Sequence, residues 1–150
     1  MIKRITDAAE FKELVLDIDE IASDEEVNAH AFLKHDSTTI INCYANTHLL
    51  TWDFFVWGHH NGERWDSVIA FGNDKNPKFN ECLFSEVLWF SSNPKVGYKL
   101  LAKALEFAKE KEFNYVLMSA AVKHPRFNKV IQFYDKLGFV KDSEVYIGKL

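Results

Sequence analysis

The chain has 150 residues, enough for one domain with a core of its own. Hydrophobic residues make up 47% and aromatic residues 15% (13 Phe, 5 Tyr and 4 Trp), yet no apolar run approaches the roughly 20 residues of a spanning helix, so no membrane is expected. A net charge of −4 argues against the basic face that nucleic acid requires, and the opening Met1-Ile2-Lys3-Arg4-Ile5-Thr6 lacks a signal-peptide core, which makes the cytoplasm the expected location.

Ile2 to Ile5 suits a short edge strand. Thr6 to Ile21 is expected to be a helix, capped by Thr6 or Asp7, with Phe11, Leu14, Val15, Ile18 and Ile21 on one face. A second helix is expected over Glu25 to His35 and a third over Thr38 to Asn46, although Thr, Ile and Tyr in the latter also suit a strand. Six acidic residues fall between Asp17 and Glu26. They read either as a solvated helix end or as a patch that attracts a cationic amine.

Trp52 to His60 and Arg64 to Phe71 are β-branched and aromatic runs separated by Asn61-Gly62, the mark of a hairpin. A polar loop with Pro77 precedes a third strand from Cys82 to about Phe90. A helix over Val96 to Glu112 should bury Gly97, Leu101, Ala104, Leu105 and Ala108. A strand over Tyr115 to Ala120 follows, then a helix started by His124-Pro125 and ended at Leu137 by Gly138, then one or two strands between Phe139 and Leu150. The passage from Cys82 to Ala120 should join parallel neighbours, which makes the sheet mixed. No repeat or linker divides the chain, so residues 1–150 are expected to form a single α/β domain. Cys43 and Cys82 lie far apart and are expected to be buried, reduced thiols. His59-His60 should be exposed beside the hairpin turn. His30 and His35 lack metal spacing, so no metal is expected. No G-x-S-x-G elbow points to a serine hydrolase.

Phe133-Tyr134-Asp135-Lys136-Leu137-Gly138-Phe139 by itself is the pattern of a helix that packs on a sheet. It also resembles the helix-to-strand signature, roughly F/L-Y-E-K-L-G-F, of the GNAT superfamily of acyl-CoA-dependent N-acyltransferases. The resemblance covers most of the chain, most securely Trp52 to Leu150, and the element order is that of the GNAT fold: N-terminal helices, three antiparallel strands, then helix, strand, helix and final strands. It implies acetyl-CoA as acyl donor, direct transfer to a primary amine, and Tyr134 as the acid that protonates the departing thiolate. The amine would belong to a small molecule or to a protein, and a homodimer is allowed.

GNAT enzymes hold the coenzyme pyrophosphate on a loop, roughly Q/R-x-x-G-x-G/A, at the start of the central helix, where unpaired N–H groups and the helix dipole meet an anion. Here that place holds Ser91-Ser92-Asn93-Pro94-Lys95-Val96-Gly97-Tyr98-Lys99. Gly97 takes the last glycine position, Lys95 replaces the first, and Ser92 replaces the Gln or Arg. The implied cofactor-binding residues are Phe90, Ser91, Ser92, Lys95, Val96, Gly97, Tyr98 and Lys99, with Asn128 one step from the asparagine position of the family. The alternative for the loop is an ordinary turn in which Ser92 or Asn93 caps the helix.

Glu86 lies in Phe84-Ser85-Glu86-Val87-Leu88-Trp89-Phe90, where apolar neighbours would disfavour its charged form and suit it to act as a general base. The stretch resembles the F-A-E-I-V-F strand of GNAT histone acetyltransferases, whose glutamate is the base. An outward-facing Glu86 paired with a lysine is the competing reading. The thioester carbonyl would be polarised by a main-chain N–H near Trp89 to Ser91, where the strand should splay from its neighbour. Ser119 and His124 are either contacts for acceptor or pantetheine, or capping groups. Trp52, Trp57, Trp65 and Trp89 would suit a cation gripped by aromatic faces or an aromatic core. A GNAT-fold binding or regulatory module without turnover is the alternative function, consistent with the missing Gln or Arg and first glycine.

Overall fold

The computed structural model describes residues 1–27, 29, 35–45, 54–75 and 80–150. The chain divides into two compact units, Met1–Ala22 with Asp36–Met118, and Ser23–His35 with Ser119–Leu150.

The larger unit is a five-stranded mixed sheet in the order β1-β2-β3-β4-β5, flanked by helices. β1 (Ile2–Ile5), β2 (Phe54–His60), β3 (Trp65–Asp74) and β4 (Leu83–Ser91) pair antiparallel in sequence order, and β5 (Tyr115–Leu117) joins β4 in parallel. Helix α1 (Ala8–Ile21) begins where expected: Asp7 caps it by accepting the N–H of Glu10 at 2.9 Å. Its Phe11, Leu14, Val15 and Ile18 meet Ile5, Phe54, Val56, Trp65, Val68 and Ala70 in an apolar core. The acidic run beyond that face is partly structural, because Asp17 accepts the N–H of Trp65 at 2.8 Å and Glu20 pairs with Arg64 at 3.5 Å.

The expected third helix is real, as α3 (Ser37–Ile40) continued by a π-helical turn Ile41–Ala45; Asn46 lies outside the described residues, as do Trp52 and His30. The hairpin turn is longer than two residues. Asn61 donates its N–H to the Arg64 carbonyl and accepts the amides of Glu63 and Arg64 on its side chain, while Gly62 takes φ +108°. Cys82 is exposed, contrary to expectation, because it precedes β4 rather than lying within it; the Cys43 side chain lies outside those described.

Helix α4 (Pro94–Glu110) covers the opposite face of the sheet. It starts two residues earlier than periodicity suggests, and Leu100 is fully buried while Leu105 is only half-buried. Beneath it the rings of Phe71 and Phe84 stack at 4.2 Å, and Phe107 packs on Phe55 at 4.9 Å and on Trp57 at 5.2 Å. Trp57 and Trp65 are therefore core residues.

In the smaller unit, α2 (Asp24–Val27) replaces the first part of the helix expected to reach His35; residues 28 and 30–34 lie outside the description. Helix α5 (Phe127–Lys136) ends at Gly138, whose φ of +81° is the left-handed conformation expected there. The strands expected between Phe139 and Leu150 are absent among the described residues. A strand exists only with a partner ladder, and this stretch instead bonds to itself, Lys141 and Tyr146 both reaching the Glu144 carboxylate.

Candidate active site

β4 carries Glu86 at its middle and the Ser91 turn at its end, and a bulge decides which side chains share a face. Phe71 faces Glu86 and Ala70 faces Leu88, so Val87 is an extra residue in the ladder. Directly opposed residues share a face. Glu86 thus lies with Phe71 and Phe84 on the α4 side, half-buried, whereas Leu88 and Phe90 turn to the α1 core. Strict alternation would have put 84, 86, 88 and 90 on one face. Trp89 returns to the α4 side, its Nε1 3.5 Å from the point where a Cβ on Gly97 would sit. Phe90, implied as a cofactor contact, keeps its ring on the other side of the sheet.

The ladder on the outer edge of β4 is short. β5 pairs only with Leu83, Phe84 and Ser85. From Glu86 to Ser91 the same edge of β4 is outside that ladder. The bulge accounts for this, since an inserted residue bends its strand and raises the local twist. It also shortens β5, which stops at Leu117 rather than Ala120.

At the end of β4, Asn93 caps α4. Its Oδ1 accepts the N–H of Lys95 at 3.0 Å, its carbonyl accepts that of Gly97 at 3.0 Å, and Pro94 fills the first helical position. Of the amides expected to face an anion, Gly97's is therefore used locally, and those of Tyr98 and Lys99 lie deep enough for the helical ladder to take them. Val96 keeps an N–H outside these bonds. Gly97 itself is buried, and a Cβ there would stand 3.1 Å from the Ser91 Cβ. Glycine is needed for the helix to approach the strand, not for a ligand to approach the helix.

Ser92, Lys95, Tyr98 and Lys99 are exposed around this opening, with no acidic residue in the first turn. Among the described residues neither lysine has a side-chain partner. Two cations at the positive end of a helix dipole repel it. The donors at this end of the helix are the Lys95 and Lys99 ammonium groups, the Val96 N–H and the Ser92 hydroxyl.

In the smaller unit, the Tyr134 hydroxyl donates to the Ser119 carbonyl at 2.7 Å, and its ring lies 5.5 Å from that of Phe139. Asn128 is exposed on α5. His124 shapes the turn before α5: its Nδ1 accepts the Arg126 N–H at 3.1 Å and its carbonyl accepts that of Phe127 at 3.0 Å. Burial pulls the His124 pKa below its ordinary value, helped by Arg126 and opposed by Glu26.

One group escaped the sequence reading. His59 and His60 are half-buried, not exposed, and His59 Nδ1 lies 2.7 Å from Asp66 Oδ1. The signal was the period of two that places His59 in line with Phe55 and Trp57 on the α4 side. Among the described residues no cluster of His, Cys, Asp or Glu could hold a metal ion, and no helix is long and apolar enough to cross a membrane.

No protein-family model and no curated protein matches the chain. Solved structures do. An aminoglycoside acetyltransferase from an uncultured soil metagenomic sample superposes with a TM-score of 0.72 at 11% identity, over 100% of this chain and 97% of that one. A predicted acetyltransferase from Clostridium acetobutylicum, solved with acetyl-CoA, gives 0.72 at 13% identity over 100% and 95%. A ribosomal-protein-alanine N-acetyltransferase from Brucella melitensis biovar Abortus 2308 gives 0.68 at 12% identity over 100% and 98%. Together with the mixed sheet, the bulged β4 and the α4 that follows it, these likenesses establish that the chain has the fold of the GNAT superfamily of N-acyltransferases.

Proposed function

We propose that the protein is an acyl-CoA-dependent N-acyltransferase that uses acetyl-CoA and transfers the acyl group directly to a primary amine. The observation that carries this reading is the opening of α4. Among the described residues Lys95 and Lys99 stand unpaired at the positive end of the helix that covers the sheet face presenting Glu86. That arrangement costs stability by itself and becomes favourable when an anion binds. The two ammonium groups, the Val96 N–H and the Ser92 hydroxyl would hold the pyrophosphate. Acetyl-CoA supplies an activated thioester carbonyl.

Glu86 accepts the proton that the amine sheds as its nitrogen bonds to the carbonyl carbon, directly or through one water. Main-chain N–H groups of the β4 edge from Trp89 to Ser91 face the negative charge that develops on the carbonyl oxygen. As the carbon–sulfur bond breaks, the sulfur takes a proton, for which the FYDKLGF signature supports Tyr134. That hydroxyl must first give up the Ser119 carbonyl. No covalent intermediate on the protein is needed. The acceptor class spans aminoglycoside-like or polyamine-like molecules, amino acid derivatives and protein amines.

A second reading, a binding or regulatory module, is favoured by the Asn93 cap, which occupies donors that an anion would use. Calorimetric titration with acetyl-CoA followed by turnover on an amine panel separates the two. Binding with acyl transfer, or with slow thioester hydrolysis, supports the enzyme; binding without either supports the module; absence of binding sinks both.

A further inference from the structure

A chain of polar contacts runs across three strands to the cap of α4. His59 on β2 meets Asp66 at 2.7 Å, Asp66 Oδ1 meets the Ser67 hydroxyl at 3.1 Å, Ser67 meets Ser91 on β4 at 2.8 Å, and Ser91 donates to the Asn93 carbonyl at 2.6 Å. Asp66 reaches this line through a second bulge: His59 faces Ser67 and His60 faces Trp65, so Asp66 is the inserted residue. Its carbonyl also accepts the N–H of Ser92 at 3.2 Å. Ser67 is completely buried, and no other polar residue is buried among those described.

Proton counting identifies the branch point. Each hydroxyl has one proton to give. The Asn93 carbonyl can only accept, so Ser91 spends its proton there, and Ser67 must serve either the Ser91 oxygen or the Asp66 carboxylate. In the first arrangement Ser91 is held from both sides, which fixes the carbonyl and side chain of Asn93 and with them the orientation of the α4 opening.

We propose that Ser67 is a positioning residue for the phosphate-binding end of α4, and that His59, by occupying Asp66 Oδ1, leaves the Ser67 proton for Ser91. The inference rests on the function proposed above. It adds that the cofactor site is set from the β2–β3 hairpin, by residues that touch no ligand. Burying the Ser67 hydroxyl completely for stability alone is a poor exchange against an apolar side chain, whereas fixing a turn requires directional bonds.

The test compares acetyl-CoA with S-acetylpantetheine, which carries the same thioester and no pyrophosphate. Ser67→Ala should weaken acetyl-CoA binding about three- to tenfold, the range of one or so net hydrogen bonds, leave S-acetylpantetheine unchanged, and speed hydrogen exchange at Lys95 and Gly97. Asp66→Ala removes the competing acceptor and should leave acetyl-CoA binding unchanged or tighter, and Ser67→Cys, close in size with a weaker donor, decides the matter if Ser67→Ala does not fold. Unchanged acetyl-CoA affinity in the folded Ser67 variant, or equal weakening of both ligands, overturns the inference alone. Failure of the wild-type protein to bind acetyl-CoA overturns it together with the proposed function.

Discussion

On the α1 side of the sheet every buried side chain among the described residues is apolar, from Ile5 and Phe11 through Val56 to Ala70, whereas the α4 side grades from stacked phenylalanines into a cluster of polar groups at the turn after β4. The two faces share the same strands, so the difference comes from the bulges at Val87 and Asp66: the first leaves Glu86 on the α4 side while turning Leu88 and Phe90 to the α1 core, and the second carries Asp66 out of the α1 side. A face built of apolar side chains contributes stability. A face that collects a carboxylate, hydroxyls and an open helix end can bind and react. Substitutions should therefore sort by face into losses of stability and losses of function.

The sharpest way to break that contrast is Glu86→Gln. If the carboxylate is the base, kcat should fall by about 10²–10⁴-fold with the melting temperature and acetyl-CoA affinity little changed. The defect should narrow at alkaline pH, where more of the amine is already deprotonated. A pH–rate profile and a melting curve on one preparation measure both, and a loss of stability with activity intact would return Glu86 to a structural role. On the other face, Leu14→Ala should cost about 2–5 kcal/mol of unfolding free energy by leaving a cavity, with acetyl-CoA affinity of the folded protein unaltered; denaturant titration gives the first quantity and calorimetry the second.

Smaller effects sharpen the picture at the site. Lys95→Glu should weaken acetyl-CoA about ten- to a hundredfold, since a charge-assisted contact is replaced by repulsion. The deficit should shrink in high salt, because the group is exposed and screened. Equal affinity at all salt concentrations would move the phosphate site elsewhere. The least of the expected effects is in the smaller unit. The folded turn holds His124 below its ordinary value of 6.5, so folding favours the neutral ring. Its contribution is present above pH 6.5 and is lost as pH falls through the lower folded value. Amide exchange at Arg126 and Phe127, corrected for the intrinsic rate, should accelerate across that interval and stay flat in His124→Gln.

Where a segment's own side chains pay for its structure, the amino-acid order was sufficient. Asp7 and Asn93 as caps, the apolar stripes of α1 and α4, the Asn61-Gly62 turn and the glycine stop at Gly138 all depend on neighbours within a few residues, and each stands where local chemistry puts it. The helix-to-strand signature likewise pointed to the fold. What the order of residues left open was which strand faces which and with what register. Alternation alone left Glu86 free to take either face until the extra residue at Val87 was placed against β3. The terminal strands expected after Gly138 depended on a partner that the described residues do not supply.

The same reason explains the hidden polar line. His59, Asp66, Ser67 and Ser91 are scattered over 33 positions in three strands, with a separation of 24 between the two serines. Nothing in their spacing announces a contact. Local propensity could specify that β2, β3 and β4 exist, because φ, ψ and side-chain alternation are properties of short segments. Pairing, bulges and hydroxyl contacts are properties of two or more strands at once, and only the tertiary structure could decide them.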